Sequence, residues 1–256
     1  GVQAIVGLTL DVRGDGVTGV LALFAQNAEG YANLMQLSSA AHIETAGASE
    51  PHVSLERVLA SNAGLVALTG GADGLLTELL LNERTDEAGA LLHRLSSAYP
   101  GRLYVELHRH NERREADSEG ALIDLAYAQG LPIVAANDIR FQAKKDHAAH
   151  DALMCIAASS YLGEEDRPRV TDQHYFKSAE EMSALFADLP EAIANTSEIA
   201  RRCAFRVETR KPILPRFDTK KGRDEPAELK AQAEAGLTAR LKALGERLAA
   251  PEEEYR

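Results

Sequence analysis

Several things this sequence lacks narrow what it can be. It has no tryptophan, and aromatic residues make up only 5% of the chain. No apolar run reaches the roughly 18 residues of a membrane-crossing helix, so no spanning segment is expected. Only two cysteines occur, Cys155 and Cys203, both inside helical apolar patterns. That count argues against a disulfide framework and fits two small buried hydrophobes in a reducing cytoplasm. No charged-then-apolar leader precedes the opening run GVQAIVGLTLDV, which reads as chain cut from something longer. HExxH, CxxC, GxSxG, GxxxxGKT and GxGxxG are all missing, and with them the usual signatures of zincins, zinc ribbons, serine hydrolases, P-loops and dinucleotide folds.

What is present is a sequence of 256 residues, 45% hydrophobic, enough to bury a sizeable core. Its net charge of −11 is unevenly spread. Residues 201–223 hold nine Lys/Arg against Glu208 and Asp218, while residues 1–200 carry a net −15. An acidic body repels phosphate backbones and makes a poor nucleic-acid binder by itself. The basic stretch reads as a solvated connector.

Short apolar runs alternate with amphipathic stretches. The runs GVQAIVGLTL, VTGVLALFAQ, LVALTG, RLYVELHRH and PIVAAND read as strands. Helical periodicity falls at 28–42, 54–60, 73–82, 86–98, 116–129 and 144–157. This alternation predicts a parallel sheet or a βα barrel. GADG at 71–74 reads as a turn ahead of a helix. Further on, Ser178 and Glu181 form a capping box before Met182, Leu185 and Phe186, and Pro190 suits the first turn of the next helix. The Pro- and charge-rich stretch around 207–226 is the predicted domain boundary, followed by a last helix over about 227–249.

Three polar clusters could carry chemistry. In 103-LYVELHRH-110, strand alternation places Leu103, Val105 and Leu107 on one side and Tyr104, Glu106, His108 and His110 on the other. A carboxylate and two imidazoles are building blocks of hydrolytic metal sites. In 134-VAANDIRF-141, Asn137 and Asp138 end a buried strand, where ligands of βα folds collect. In 146-DHAAHD-151, His147, His150 and Asp151 sit in the first turns of a helix, with Asp146 suited to its N-terminus and His147–Asp151 an i, i+4 surface pair.

A series of phrases resembles one family. LALFAQNAEGYANLM is similar to the "hLxLLAKNxxGYxNLM" stretch of the bacterial replicative DNA polymerase III alpha subunits (the C family). LVALTGG is similar to its "LIALSGC", LYVELHRH to "fYLELqRhg" and LPIVAANDIRF to "lPlVATNDvhY". HDALMCIA, HYFKSAEEMSALFADLPEAIANTSEIARRC and ILPRF complete the series, in order, over residues 1 to about 217. The resemblance implies a PHP domain, a seven-stranded distorted βα barrel, here without its N-terminal strands, over 1–207. It further implies a basic, proline-bearing linker over 208–226 and the truncated first helix of the palm over 227–256.

The resemblance also implies where metal ligands would stand. The family's first-strand Glu matches Gln3, its His matches Val20, its Cys matches Gly71, and the Asp and His of "NDxH" match Asp138 and Arg140. Gln, Val and Gly cannot supply anionic or soft donors, and Arg140 brings a permanent cation. These five positions therefore read as a vestigial metal site with no metal and no catalytic residue. Arg140 is expected to pair with Asp138. Glu106, His108 and His110 are expected to hydrogen-bond nearby, with a weak residual ion on Asp138, His110 and Glu106 as the alternative. The polymerase motifs "PDFDxDF" and "GPGRGSGAG" do not occur, so polymerase activity, with its magnesium, is expected only of a longer parent chain. The implied role is a structural module that docks the rest of the alpha chain and a proofreading exonuclease subunit, touching DNA only through the parent. The competing role is a metal-dependent phosphoesterase or 3′–5′ exonuclease. A barrel short of strands has open edges, so aggregation or poor solubility is expected of this chain expressed alone.

Overall fold

The fold starts from a two-residue turn. Asp15 and Gly16 both adopt left-handed backbone, with φ of 53° and 68°, the geometry that matches the twist of an antiparallel hairpin. They join β1 (Gly7–Gly14) to β2 (Val17–Ala25) in unbroken antiparallel register from Gly7↔Phe24 to Gly14↔Val17. The computed structural model describes residues 2–45, 47, 50–219, 222, 224–247 and 250–255. Gly1 of the opening run, Lys220, Lys221 and Arg223 of the basic stretch, and positions 248, 249 and 256 of the expected terminal segment lie outside the described residues. The chain divides into two compact units, Gly1–Val207 and Glu208–Arg256.

In the first unit the hairpin is followed by α1 (Ala28–Ile43), β3 (Val53–Ser54), α2 (Leu55–Ala60), β4 (Leu65–Leu68), α3 (Leu75–Leu81), α4 (Thr85–Ala98) and β5 (Leu103–Leu107). Then come α5 (Arg113–Ala128), β6 (Ile133–Ala135), α6 (His147–Ala158), α7 (Ala179–Leu185) and α8 (Pro190–Arg202). Side chains set several helix starts. Asn27 accepts the Gly30 N–H at 2.9 Å, Ser54 accepts that of Arg57, and Ser178 and Glu181 cap each other reciprocally, each satisfying an amide that the helix itself cannot.

The described strands form one open sheet in the order β3-β1-β2-β4-β5-β6. β4, β5 and β6 are parallel, whereas β2 runs antiparallel to both β1 and β4. The sheet is therefore mixed where strand–helix alternation predicts a parallel one, because the Asp-Gly turn reverses the chain after β1. The first strand also begins at Gly7 rather than at the start of its apolar run. β3 pairs with β1 at Val12 and Arg13, so among the described residues Gly7–Asp11 has a neighbouring strand on one side only.

Alternation splits the sheet into two packed faces. Leu65, Ala67, Leu103, Val105, Leu107, Ile133 and Ala135 enter the main core with the buried faces of α1 to α5. Val66, Leu68, Tyr104 and Val134 point the other way and pack with Ile199 of α8 and Cys203. Each fully buried leucine of this kind stabilises by about 1.5–3 kcal/mol. Both cysteines are buried and free. Among the described residues, no helix is long and apolar enough to cross a membrane.

The second unit holds α9 (Glu225–Leu244), begun by Asp224, whose carboxylate accepts the Ala227 N–H at 2.9 Å. That cap starts the helix two residues before its apolar pattern does.

Candidate functional site

β5 carries Glu106 to the edge of the core and stops at Leu107, so His108 and His110 lie just beyond the strand end. All five residues of β5 are buried, Glu106 included. Its carboxylate is held from two sides: Gly70 donates its N–H to Oε2 at 3.0 Å, and His108 Nε2 lies 3.2 Å from Oε1. Gly70 and Gly71 follow β4 with φ of 86° and 53°. A Cβ on Gly71 would fall 2.4 Å from the His108 ring, so the imidazole fills the space a side chain there would take. Val20, on β2, borders the same turn, since a Cβ on Gly70 would fall 2.2 Å from its carbonyl oxygen.

His110 points to a second group. Its Nδ1 lies 2.7 Å from Glu115 Oε1, its backbone N–H donates to Glu115 Oε2 at 2.5 Å, and its Nε2 lies 3.0 Å from Asn137 Oδ1. The Asn137 amide is oriented by its own Nδ2–H, which donates to the Tyr175 carbonyl at 3.0 Å, and by Lys177 Nζ, 3.2 Å from Oδ1. His174 stacks on His110 with ring centres 4.0 Å apart and planes 8° from parallel. Its nitrogens face the Asp138 carbonyl and Glu112 Oε1, each at 2.9 Å. The Asp138 carboxylate receives Arg140 Nε at 2.8 Å and the terminal nitrogen at 2.7 Å. The i, i+2 pair anticipated for Asp138 and Arg140 is therefore formed. Arg109, between the two histidines, turns the opposite way and clamps Glu119 of α5 and Asp188 beyond α7, with its guanidinium 4.5 Å over the Phe186 ring.

The electrostatics follow from these contacts. Burial alone would disfavour the charged His108 ring, but Glu106, with Glu115 and Asp138 further off, outweighs it and raises the pKa. Burial would likewise lift Glu115, but the hydrogen bonds from His110 and the Glu112 N–H hold its carboxyl below the usual range. Burial pulls the Lys177 ammonium down.

His108, His110 and Glu115 offer ligand atoms within 4.8 Å of one another, and two imidazoles with a carboxylate are a donor set that suits zinc. In the present arrangement these ligand atoms also bond to neighbouring side chains. A metal takes the lone pair of a ring nitrogen, yet both nitrogens of His110 already face oxygen acceptors and His108 is turned onto Glu106. The cavity bordered by Gly71, Glu106, His108 and Glu115 measures about 10 Å³, at most the space of one water.

Of the positions singled out in the sequence, Val20, Gly71, Glu106 and His108 converge around the turn after β4. Asp138 and Arg140 meet His110 through His174. Gln3 lies exposed in the segment before β1. The 146–151 cluster goes elsewhere: Asp151 pairs with Arg167 at 2.5 and 2.7 Å, and His147 Nε2 faces the Val170 carbonyl rather than Asp151. Sequence reasoning missed Glu112, Glu115, His174 and Lys177. Only Glu115 left a signal, as the third residue of a helix whose Glu112 start forms a capping box with it.

Comparison with known proteins places this geometry in context. Residues 1–110 match the PHP domain family. Over the whole chain, the sequence is 46% identical to DNA polymerase III subunit alpha of Caulobacter vibrioides, spanning 23% of that protein. The same subunit of Pseudomonas aeruginosa is 37% identical over 90% of this chain, and that of Escherichia coli 37% over 94%, spanning 20% and 21% of those proteins. The chain thus spans about a fifth to a quarter of the relatives it matches.

Proposed function

From the premise that this chain carries PHP-domain sequence and is related along its whole length to DNA polymerase III subunit alpha, we propose that it is the PHP portion of such a subunit, working as a metal-free structural and docking module. One observation carries the reading: the protein's own side chains occupy the donors of the site. Glu106 holds His108, Glu115 and Asn137 hold His110, and Arg140 neutralises Asp138. The remaining positions matched to family ligands, Gln3, Val20 and Gly71, are neutral. Two-metal hydrolysis needs closely set anionic and imidazole ligands clamping both oxygens of the displacement, and here His110 and Glu115 are bonded to each other instead.

In this reading residues 1–207 are a barrel-type PHP domain, 208–226 a linker, and 227–256 the opening helix of the palm. The partners are the rest of a cytoplasmic alpha chain and a separate proofreading exonuclease subunit, with DNA reached only through the polymerase. Magnesium belongs to the polymerase reaction of that longer protein.

A second reading, a metal-dependent phosphoesterase or 3′–5′ exonuclease, is favoured by the closeness of His108, His110 and Glu115. The two separate cleanly. The longer protein, treated with chelator and analysed for metals, is expected to hold no stoichiometric ion at this site, to show no nuclease activity of its own, and to co-purify with an exonuclease. A tightly held ion, together with metal-dependent nuclease activity abolished by Asp138→Asn, overturns the docking reading.

A further inference from the structure

The arginines of this chain fall into two populations. Before Arg206, every one of them reaches a carboxylate, carbonyl or hydroxyl oxygen, as Arg94 does on Glu56, Arg102 on the Leu65 carbonyl and Arg202 on the Tyr104 hydroxyl. Arg206 is the first exception. In the second unit, Arg210, Lys211 and Arg216 are exposed and, among the described residues, have neither an ion pair nor a side-chain hydrogen bond. Carboxylates are not scarce in a chain of net charge −11. These cations are unpaired by placement, not for want of acids.

Residues 210–217 read RKPILPRF, three cations and no carboxylate. They form neither helix nor strand, and every one is exposed. Pro212 and Pro215 fix their own φ and bias Lys211 and Leu214 toward extended backbone, so less order has to be imposed when a partner binds. Phe217 is 61% exposed, and its N–H donates to Glu225 Oε1 at 2.5 Å. It forms one wall of an open groove of about 480 Å³, which Pro226 and Leu229 of α9 also border. Cations on a stiff strip beside an exposed aromatic ring suit single-stranded nucleic acid: the charges track the phosphates and the ring takes a base. A duplex keeps its base faces stacked inside, so only a single strand can use both.

We propose that residues 210–217 are a contact for single-stranded nucleic acid, with Arg210, Lys211 and Arg216 on the phosphate backbone and Phe217 stacked on a base. The stretch is then a binding strip rather than a solvated connector. In the function proposed above, DNA is reached only through the polymerase; this adds a contact made by the linker itself. It stands whether or not the histidine cluster binds an ion.

The test uses the longer protein and a fluorescent oligothymidine, with anisotropy read over a range of salt concentrations. Each phosphate contact on a single strand contributes about 0.7 to the slope of log affinity against log salt. Arg210→Gln/Lys211→Gln/Arg216→Gln is therefore expected to make that slope shallower by about 2, and an unchanged slope overturns the proposal. Arg210→Lys/Arg216→Lys keeps the charges and is expected to keep the slope. A loss there as large as in the Gln variant overturns the phosphate contact. Phe217→Leu is expected to weaken single-strand binding about tenfold at unchanged slope, and to leave binding to a duplex of the same length as it was. Equal losses on single strand and duplex, or none on either, overturn the base contact and the proposal with it.

Discussion

Gly70→Ala is expected to destabilise the protein by roughly 3–5 kcal/mol, combining strain at positive φ with an unavoidable overlap. Gly70 has φ of 86°, and its new Cβ would lie 2.2 Å from the Val20 carbonyl oxygen and 2.9 Å from Gly74 Cα. Both are backbone atoms, so no side chain can swing aside. The turn must move, and with it the N–H that anchors Glu106. Gly101 supplies the control, with φ of 64° but open space around its Cβ position. Gly101→Ala is expected to lose only about 1 kcal/mol, the cost of left-handed backbone alone. Urea denaturation of the two variants separates collision from strain. Equal losses would show that the turn after β4 is not tightly wedged. Against a total stability of about 5–15 kcal/mol, the larger loss leaves little margin.

Glu115→Gln is expected to cost about 2–3 kcal/mol at neutral pH, as hydrogen bonds to a buried charge become hydrogen bonds to a neutral amide. The carboxylate serves three groups, the His110 ring, the His110 N–H and the Glu112 N–H, while the amide can accept through only one atom. The same contacts set a pH dependence. The folded pKa of Glu115 lies below its ordinary value of 4.5, so in that interval the unfolded chain binds more protons than the folded one. Stability from this group is complete above the ordinary value and is lost as pH falls through the lower, folded one. Acid unfolding of the Gln variant should therefore show a shallower decline over that interval than the parent sequence. If the two profiles run parallel, the carboxylate is not the titrating contact.

Much of the first unit was legible in the sequence because local signals and burial agree there. The apolar side of LYVELHRH enters the main core as alternation requires, and the Ser178–Glu181 capping box forms as its spacing indicates. The Asp138–Arg140 pair was legible too, since i, i+2 spacing beyond a strand leaves both on one side. The ladder of Glu and His was only half legible. The strand ends at Leu107, so His110 is placed by Glu115, Asn137 and His174 rather than by strand geometry. His174 and Lys177 stood in the sequence only as part of the phrase HYFKSAEEM, with nothing to tie them to the site, because they reach it from a loop some 60 residues downstream of His110, through contacts that only the tertiary fold creates.

The Asp15–Gly16 turn also orders events in time. β1 and β2 close across two residues, with almost no loop entropy to overcome, and hairpins of this kind form in about 1–10 μs. β4, β5 and β6 are parallel and can meet only after the intervening helices have bridged them, a slower route of higher contact order. The hairpin is thus expected to protect its amides first in pulse-labelled hydrogen exchange during refolding, with Ala67 and Val105 following. Simultaneous protection of both regions would instead mean that the sheet condenses as a single nucleus.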